Sequence, residues 1–274
     1  MAYLKNFGIV ISQDNFIENI HFKREWYTPY QLGYKATVVN ISDILASGAK
    51  PEYISIGLSL PNNIDKNFIS DFYEGVKNGL YGAKVTGGDI TGSSNEIFIS
   101  VTVLGSTNNR NISSRKYAIP GYSVITKGNH GSSSAGLSEL KNKGSNNELI
   151  SAHIKPILEY EFSEYISTRT HNKYAMMDTS DGLADALFKI AEASNVKIVA
   201  DYNRIPHLPC ILKENVLFGG EDYKLIAAVP SELVSQIPDA VIIGKVCEYD
   251  GIRLEISGDC YNNFEELNLF NHFN

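Results

Sequence analysis

The alternation of apolar and polar positions along the chain predicts a mixed α/β protein. Runs rich in β-branched residues are typical of strands, and apolar residues recurring every three to four positions are typical of one helix face. Strands are predicted at residues 7–12, 53–60, 85–86, 96–105, 122–126, 174–177, 196–201, 225–229 and 241–246. Helices are predicted at 28–48, 65–82, 156–170 and 183–194. This succession predicts an α/β or α+β architecture.

The first predicted helix carries a carboxylate on its apolar face. Thr28 and Pro29 are a hydroxyl cap and a first-turn proline, which together indicate a helix start. Asp43 lies four residues after Val39, on the apolar stripe. A buried carboxylate needs a partner or a metal ion, and Asn40, one turn earlier, could share that partner. The alternative is a shifted helix frame that leaves Asp43 exposed.

The segment 84–92 contains Gly87, Gly88 and Asp89. Two glycines allow a sharp turn and a close approach of the backbone to a ligand, so we predict a turn with Asp89 at its lip. A carboxylate there suits Mg²⁺, which prefers carboxylate and phosphate oxygens. The alternative is a tight turn with a solvated acid.

Three other segments have the same character: 40–43, 177–182 and 218–223. In the second, Asp178 and Asp181 flank Ser180 at a predicted strand-to-helix turn. We predict that Asp181 caps the following helix, which leaves Asp178 for a magnesium–phosphate corner. A glycine-rich segment at 128–137 predicts an anion-binding helix start without the lysine of a P-loop. The polar run 141–148 is predicted to be a loop or linker.

Composition narrows the function class. The 274 residues suit one large domain or two of ordinary size, and the net charge of -7, without a basic run, argues against broad nucleic-acid binding. The three cysteines form no CxxC pair, so we expect the reduced thiols of a cytoplasmic protein. We expect no membrane segment, because no stretch approaches the ~20 apolar residues of a span. Residues 1–6 lack the features of a signal peptide.

Acidic residues at element ends predict a magnesium–phosphate site built from distant parts of the chain. The five acids are Asp14, Asp43, Asp89, Asp178 and Asp181. Together with the glycine segments they favour a nucleotide-dependent phosphoryl-transfer enzyme outside the P-loop class, in which the protein mainly positions phosphates and neutralises charge. No catalytic base stands out.

The sequence resembles a known family. The resemblance rests on Asp14 with Ile20-His21-Phe22 and on segments 40–49, 58–61, 87–91, 134–137, 177–183 and 219–223. These match, in order, the thiamine-monophosphate kinases of the aminoimidazole-ribonucleotide-synthetase-related ATPase superfamily. The resemblance implies ATP-dependent phosphorylation of thiamine monophosphate to thiamine diphosphate, by direct in-line transfer with Mg²⁺ and with ATP as co-substrate.

The resemblance also implies an architecture and a set of site residues. It implies a two-domain synthetase-like fold and a homodimer. Residues 1–120 would form an ATP- and Mg²⁺-binding dimerisation domain, whose sheet closes into a dimeric β-barrel with helices outside. Residues 121–274 would form an α/β sandwich. The implied metal ligands are the five acids with Ser12 and Gln13. The implied ATP contacts are Tyr73, Gly88, Asp89, Arg115 and Ser180. The implied substrate contacts are His21, Glu221 and a late aromatic, best matched by Tyr261.

The chain departs from the family pattern in three places. Family members have a glycine-acid-acid segment ahead of the first strand, and we expect this chain to start after it. Ser132 replaces a usual acid, and Gln13 stands where a hydroxyl residue is common. The chain is therefore expected to be a short form, a weakened enzyme or a product of a late start codon. The alternatives are a superfamily relative with another substrate, a non-catalytic nucleotide-binding module, and acids that serve only as caps and solvated loops.

Overall fold

The structure is a computed structural model that describes residues 1–267. The chain divides into two compact units. The first contains residues 1–45, 49–108 and 154–157, and the second contains residues 46–48, 109–153 and 158–267 of the described chain. The domain boundary predicted at residue 120 remains a prediction.

The first unit is a five-stranded sheet with two helices. Its strands are β1 (Ala2–Leu4), β2 (Ile9–Ile17), β3 (Lys50–Pro61), β4 (Lys84–Ser93) and β5 (Phe98–Ser106), and its helices are α1 (Pro29–Ala46) and α2 (Lys66–Asn78). The strand order is β1-β2-β5-β3-β4, and within this sheet of described strands only the β3–β4 pair is parallel. Alternate residues of β5 are buried, as expected for a sheet with one face against a core.

The glycine pair at Gly87 and Gly88 lies inside β4, so the predicted turn there is wrong. Thr86 is an extra residue in the pairing with β3, which makes a β-bulge. A Cβ on Gly88 would lie 2.0 Å from the carbonyl oxygen of Ile56. The glycine therefore allows a close approach between neighbouring strands, which is one of the known roles of glycine within a strand.

Two glycines also allow close packing of α1 against α2. A Cβ on Gly33 would lie 2.0 Å from the carbonyl oxygen of Phe72, and one on Gly75 would lie 1.9 Å from that of Tyr30. Both Gly75 and Phe72 are buried. Each helix thus presents a glycine to the backbone of the other, which sets how deeply the helices pack.

The second unit is built on a seven-stranded sheet with order β12-β11-β8-β10-β6-β9-β7. Its strands are β6 (Ser123–Thr126), β7 (Ala175–Asp178), β8 (Lys197–Ala200), β9 (Leu225–Val229), β10 (Val241–Cys247), β11 (Leu254–Ile256) and β12 (Asp259–Tyr261). Its helices are α3 (Ser132–Asn142), α4 (Asn147–Ile154), α5 (Tyr160–Arg169), α6 (Leu183–Ser194) and α7 (Lys213–Phe218). Helix α6 contributes seven buried apolar residues to the core and also buries Asp185.

The elements confirm the predicted α/β class but correct two segments. The polar run 141–148 contains the end of α3 and the start of α4, so only residues 143–146 form a connection. The helix predicted at 156–170 begins at Tyr160. Across residues 1–267, no helix has both the length and the hydrophobicity to cross a bilayer.

His130 is completely buried between β6 and α3. Its Nε2 lies 2.9 Å from the hydroxyl of Thr126. Burial, together with the nearby charges of Lys224 and His207, lowers the pKa of His130 to about 3. The folded protein therefore keeps a neutral imidazole at pH values where an exposed histidine is charged.

We expect the Gly75→Ala variant to lose about 2 kcal/mol of unfolding free energy, because its methyl group meets the backbone of α1. This loss should outweigh the better helix propensity of alanine, about 1 kcal/mol. Urea denaturation provides the measurement, and Ser70→Ala on the exposed side of the same helix provides the control. Equal stability of the two variants would contradict the packing argument.

We expect His130 to destabilise the protein in acid. The unfolded chain binds a proton on His130 near pH 6.5, while the folded imidazole stays neutral down to about pH 3. Acidification from pH 7 to 5 therefore favours unfolding through this group by about 2 kcal/mol. In urea denaturation, the His130→Gln variant should lose that much less stability than the wild type over this interval. Equal losses would show that His130 does not cause the effect.

Candidate active site

A polar cluster joins α1 to β2 in the first unit. The hydroxyl of Ser12 donates a short hydrogen bond to the carboxylate of Asp43. The backbone N–H of Asp14 donates to the side-chain oxygen of Asn40 at 3.0 Å. Asn40 is fully buried, and its amide donates to the carbonyl of Ala36 at 2.9 Å. Asp43 is half-buried and paired, as its apolar stripe predicts, so the shifted helix frame is excluded.

Alternation along β2 separates Gln13 from this cluster. Ser12 is buried and Asp14 half-buried, whereas Gln13 is exposed. The amide of Gln13 lies 3.3 Å from the hydroxyl of Ser100 on β5. Successive strand residues point to opposite faces, so the cluster contains Ser12 and Asp14 and leaves Gln13 on the other side.

The remaining predicted residues of the first unit occupy other elements. Asp89 is exposed on β4, in register with Gly57. Tyr73 is half-buried on α2, and burial raises the pKa of its hydroxyl. The Nδ1 of His21 accepts a hydrogen bond from the backbone N–H of Ile17 at 3.0 Å. This bond assigns the ring proton of a neutral His21 to Nε2.

An ion pair fixes the loop that carries His21. Two nitrogens of Arg24 donate to the carboxylate of Glu18, at 2.9 and 2.6 Å. The backbone N–H of Ile97 also donates to Glu18 at 2.9 Å. These donors lower the pKa of Glu18 against the opposing effect of its burial, which is the largest single influence. The loop between β2 and α1 is thereby tied to the start of β5.

In the second unit, the connection from β7 to α6 carries Asp178, Ser180 and Asp181. Asp178 is buried at the end of β7, and the hydroxyl of Ser180 lies 3.4 Å from its carboxylate. The predicted cap by Asp181 is wrong, because Gly182 occupies the cap position and no side chain caps the helix. Asp181 instead pairs with Lys189 at 3.1 Å.

Lys189 on α6 links Asp181, which precedes that helix, to Asp185 within it. Besides Asp181 it contacts the buried Asp185 at 2.9 Å. Burial raises the pKa of Asp185, while Lys189 and the positive charge of Arg115 act in the opposite direction. Arg115 is exposed and begins the short 3-10 turn Arg115–Tyr117 beside α6. Arg115 and Asp181 therefore both belong to the charged surroundings of Asp185 and Lys189.

The segment 219–224 is hydrogen-bonded to the connection after β7. The N–H of Glu221 donates to the carbonyl of Ser180 at 2.8 Å, and the N–H of Thr179 donates to the carbonyl of Lys224 at 2.9 Å. The N–H of Lys224 donates to the hydroxyl of Thr179 at 3.1 Å. A Cβ on Gly220 would lie 2.6 Å from the Ser180 carbonyl. The predicted ATP contact Ser180 and the predicted substrate contact Glu221 are thus joined by their backbones.

Asp222, which the motif analysis does not single out, fills the predicted anion-binding helix start. Its buried carboxylate accepts hydrogen bonds from the backbone N–H groups of Gly131 at 2.5 Å and Ser133 at 2.8 Å. Burial raises the pKa of Asp222 to about 6, although both bonds favour its charged form. The glycine-rich segment therefore binds an anion, as predicted, but this anion is the side chain of Asp222 from the same chain.

Glu221 directly follows the glycine pair at 219–220, and Tyr261 contacts Phe218, which directly precedes that pair. The carboxylate of Glu221 is partly exposed and lies 3.6 Å from Nδ1 of the buried His153. The ring of Tyr261 packs edge-to-face against Phe218, with centroids 6.2 Å apart. His153 was missed because α4 falls partly in the run predicted to be a loop. Its apolar surroundings on α4 give no sequence signal for a contact with Glu221.

Magnesium fits the oxygen donors of these clusters. Within residues 1–267, no three carboxylate, imidazole or thiol groups gather closely enough to hold an ion by themselves. The clusters combine carboxylates with hydroxyl and backbone oxygens, which suits a hard cation that also takes phosphate oxygens and water.

Comparisons with known proteins agree with the motif resemblance. Residues 2–107 match the family of AIR synthase related proteins, N-terminal domain. The thiamine-monophosphate kinase of Aquifex aeolicus is 34% identical over 265 residues, which cover 90% of this chain and 84% of that protein. Its crystal structure matches with a TM-score of 0.84 and 33% identity, covering 93% of this chain and 89% of that chain.

A further solved structure, AaThiL complexed with AMPPCP and TMP, matches with a TM-score of 0.84 and 32% identity. The match covers 93% of this chain and 85% of that chain. These similarities confirm the predicted two-domain synthetase-like fold. They extend over most of each protein at more than 30% identity, and this chain therefore belongs to the thiamine-monophosphate kinase family.

Proposed function

We propose that this chain phosphorylates thiamine monophosphate to thiamine diphosphate, with ATP as the phosphoryl donor and direct in-line transfer. The observation that carries the proposal is the backbone junction between Ser180 and Glu221. It joins a predicted nucleotide contact to a predicted acceptor contact, as transfer between two bound molecules requires. The related AaThiL structure, complexed with AMPPCP and TMP, supports this assignment.

Mg²⁺ would be held by Asp14, Asp43, Asp89, Asp178 and Asp181, with Ser12 close to the ions. Gln13 lies on the opposite face of β2 from Ser12, so this proposal gives it no role as a ligand. When bound, the metal supplies positive charge to the transferring phosphate and its leaving group. The donor sets support this role, because Asp43 already has a hydroxyl neighbour in Ser12 and Asp178 has one in Ser180. Lys189 pairs with Asp181 and would have to share this carboxylate with a bound metal ion.

The chain's own residues would position both substrates. Tyr73, Gly88, Asp89, Arg115 and Ser180 would contact ATP. His21 would offer its Nε2 proton to an oxygen of thiamine monophosphate, because Nδ1 is already engaged. Glu221 would accept a hydrogen bond from a donor group of the same substrate. Tyr261 would offer an aromatic face to the thiamine rings, supported from behind by Phe218.

We also propose that the chain acts as a homodimer in the cytoplasm. Strand β4 is an edge strand of its sheet and is exposed along nearly its whole length, with Val85 and Ile90 among its apolar residues. Unpaired edges of this kind favour pairing with another chain, and a second copy would close the sheet further toward the expected barrel. The free thiols of Cys210, Cys247 and Cys260 support a reducing compartment.

We expect Asp43→Asn to reduce thiamine diphosphate formation by about 100-fold or more, since it removes a charge that faces magnesium. The substitution keeps an oxygen to accept from Ser12, so the melting temperature should change little. Chromatographic assay of thiamine diphosphate with ATP and Mg²⁺ gives the rate. Asp65→Asn, at the exposed cap of α2, is the control and should retain activity. Full activity of the Asp43 variant would reject its role.

We expect the wild type to sediment as a dimer and Val85→Lys to sediment as a monomer. A lysine on this edge strand would have to be desolvated against the partner's strand. Leu212→Lys, at an equally apolar but more exposed position of the second unit, is the matched control and should stay dimeric. A monomeric wild type, or a dimeric Val85 variant, would contradict the proposed interface.

A further inference from the structure

The residues on both sides of Asp222 adopt a backbone conformation that side chains disfavour. Glu221 has φ of 65° and Tyr223 has φ of 52°, both in the left-handed region. Residues other than glycine are uncommon there and persist when the surrounding structure fixes them. Asp222 lies between the two, and its side chain makes contacts that can hold both.

The carboxylate of Asp222 is anchored to a rigid support. It binds the N–H groups of Gly131 and Ser133, in the first turn of α3. That turn packs tightly, since a Cβ on Gly131 would lie 2.7 Å from the backbone nitrogen of Val216. Two charge-assisted bonds to one carboxylate fix both its distance and its direction. Asp222 therefore cannot shift without breaking the start of α3 or its own bonds.

Glu221 is held by the carbonyl of Ser180 and by His153, and His153 in turn contacts Ser133 at the start of α3. The N–H of Glu221 binds the carbonyl of Ser180, and its carboxylate lies 3.6 Å from Nδ1 of His153. The same Nδ1 lies 3.0 Å from the hydroxyl of Ser133, whose backbone N–H binds Asp222. The contacts of Glu221 and Asp222 thus converge on Ser133.

We propose that Asp222 is a positioning residue, which orients the carboxylate of Glu221 toward thiamine monophosphate. It does so by hydrogen-bonding the strained segment 221–223 to the start of α3. The inference rests on the proposed function. Asp222 itself would not touch the substrate, because its carboxylate is buried and accepts its two hydrogen bonds from backbone N–H groups. It acts on the acceptor through Glu221.

A double-mutant cycle tests the proposal. Asp222→Asn loses one of the two backbone bonds, because an amide nitrogen cannot accept from an N–H. We expect its KM for thiamine monophosphate to rise about 10-fold and its KM for ATP to change less than about 2-fold. In a Glu221→Gln background, the same Asp222 substitution should raise the KM less than about 2-fold, since residues that act through one another are not additive.

The control variant is Asp201→Asn. Asp201 also caps a turn of the second unit, accepting from the N–H of Asn203 at 3.0 Å, but it lies outside the 219–224 segment. It should leave both KM values unchanged. Thermal unfolding monitors the fold of every variant, and Asp222→Glu serves as a second variant if Asp222→Asn does not fold. Loss of folding in both would overturn the proposal in favour of a purely structural role.

The outcomes separate the two hypotheses. A wild type that neither binds thiamine monophosphate in calorimetry nor converts it would refute the proposed function. A wild type that converts it, together with an Asp222→Asn variant with unchanged KM, would refute the positioning role alone. The positioning role would also be refuted if Asp222→Asn raised the KM for thiamine monophosphate by the same factor in the wild type and in the Glu221→Gln background. Asp222 would then not act through Glu221.

Discussion

A carboxylate that must meet phosphate or magnesium cannot be buried without compensation, and this constraint governs both units. An isolated buried charge is far more costly than a solvated one. At three acids the chain meets the constraint by giving the carboxylate a hydrogen-bond donor. Asp43 has the hydroxyl of Ser12, Asp178 has that of Ser180, and Asp222 has two backbone N–H groups. These donors therefore hold the three carboxylates in place.

The donors differ in kind, and the difference separates Asp43 and Asp178, which we propose as metal ligands, from Asp222. A hydroxyl can rotate, so Ser12 and Ser180 can turn away when a cation approaches. Backbone N–H groups cannot, and the bonds of Asp222 are permanent features of α3. Lys189 is intermediate, because its ammonium is mobile but charged and already engages Asp181 and Asp185. The donor of each acid thus indicates how easily that acid can be released to a metal ion.

Sequence periodicity predicted what depends on local pattern and missed what depends on packing. The apolar stripe of α1 placed Asp43 correctly, because the helix is long and its spacing is regular. The motif resemblance identified the family. Helix α4 was missed because its first residues are polar and its burial comes from neighbouring elements. Asp222 was passed over because only its place in the fold shows that its carboxylate reaches α3. His153 was missed because its contacts with Glu221 and Ser133 arise only in the folded chain.

The two Gly-Gly-acid segments show why such a pattern alone does not define a turn. At 87–89 it lies within a strand, and at 219–221 it lies between α7 and β9. What the segments share is contact with a neighbouring carbonyl oxygen. A Cβ on Gly88 would meet that of Ile56, one on Gly219 would lie 2.4 Å from that of Asn215, and one on Gly220 would meet that of Ser180. Gly87 has nothing within 4 Å of its Cβ position, so packing does not require a glycine there. The glycines let backbone approach backbone, and the acid that follows is held at a fixed place as a result.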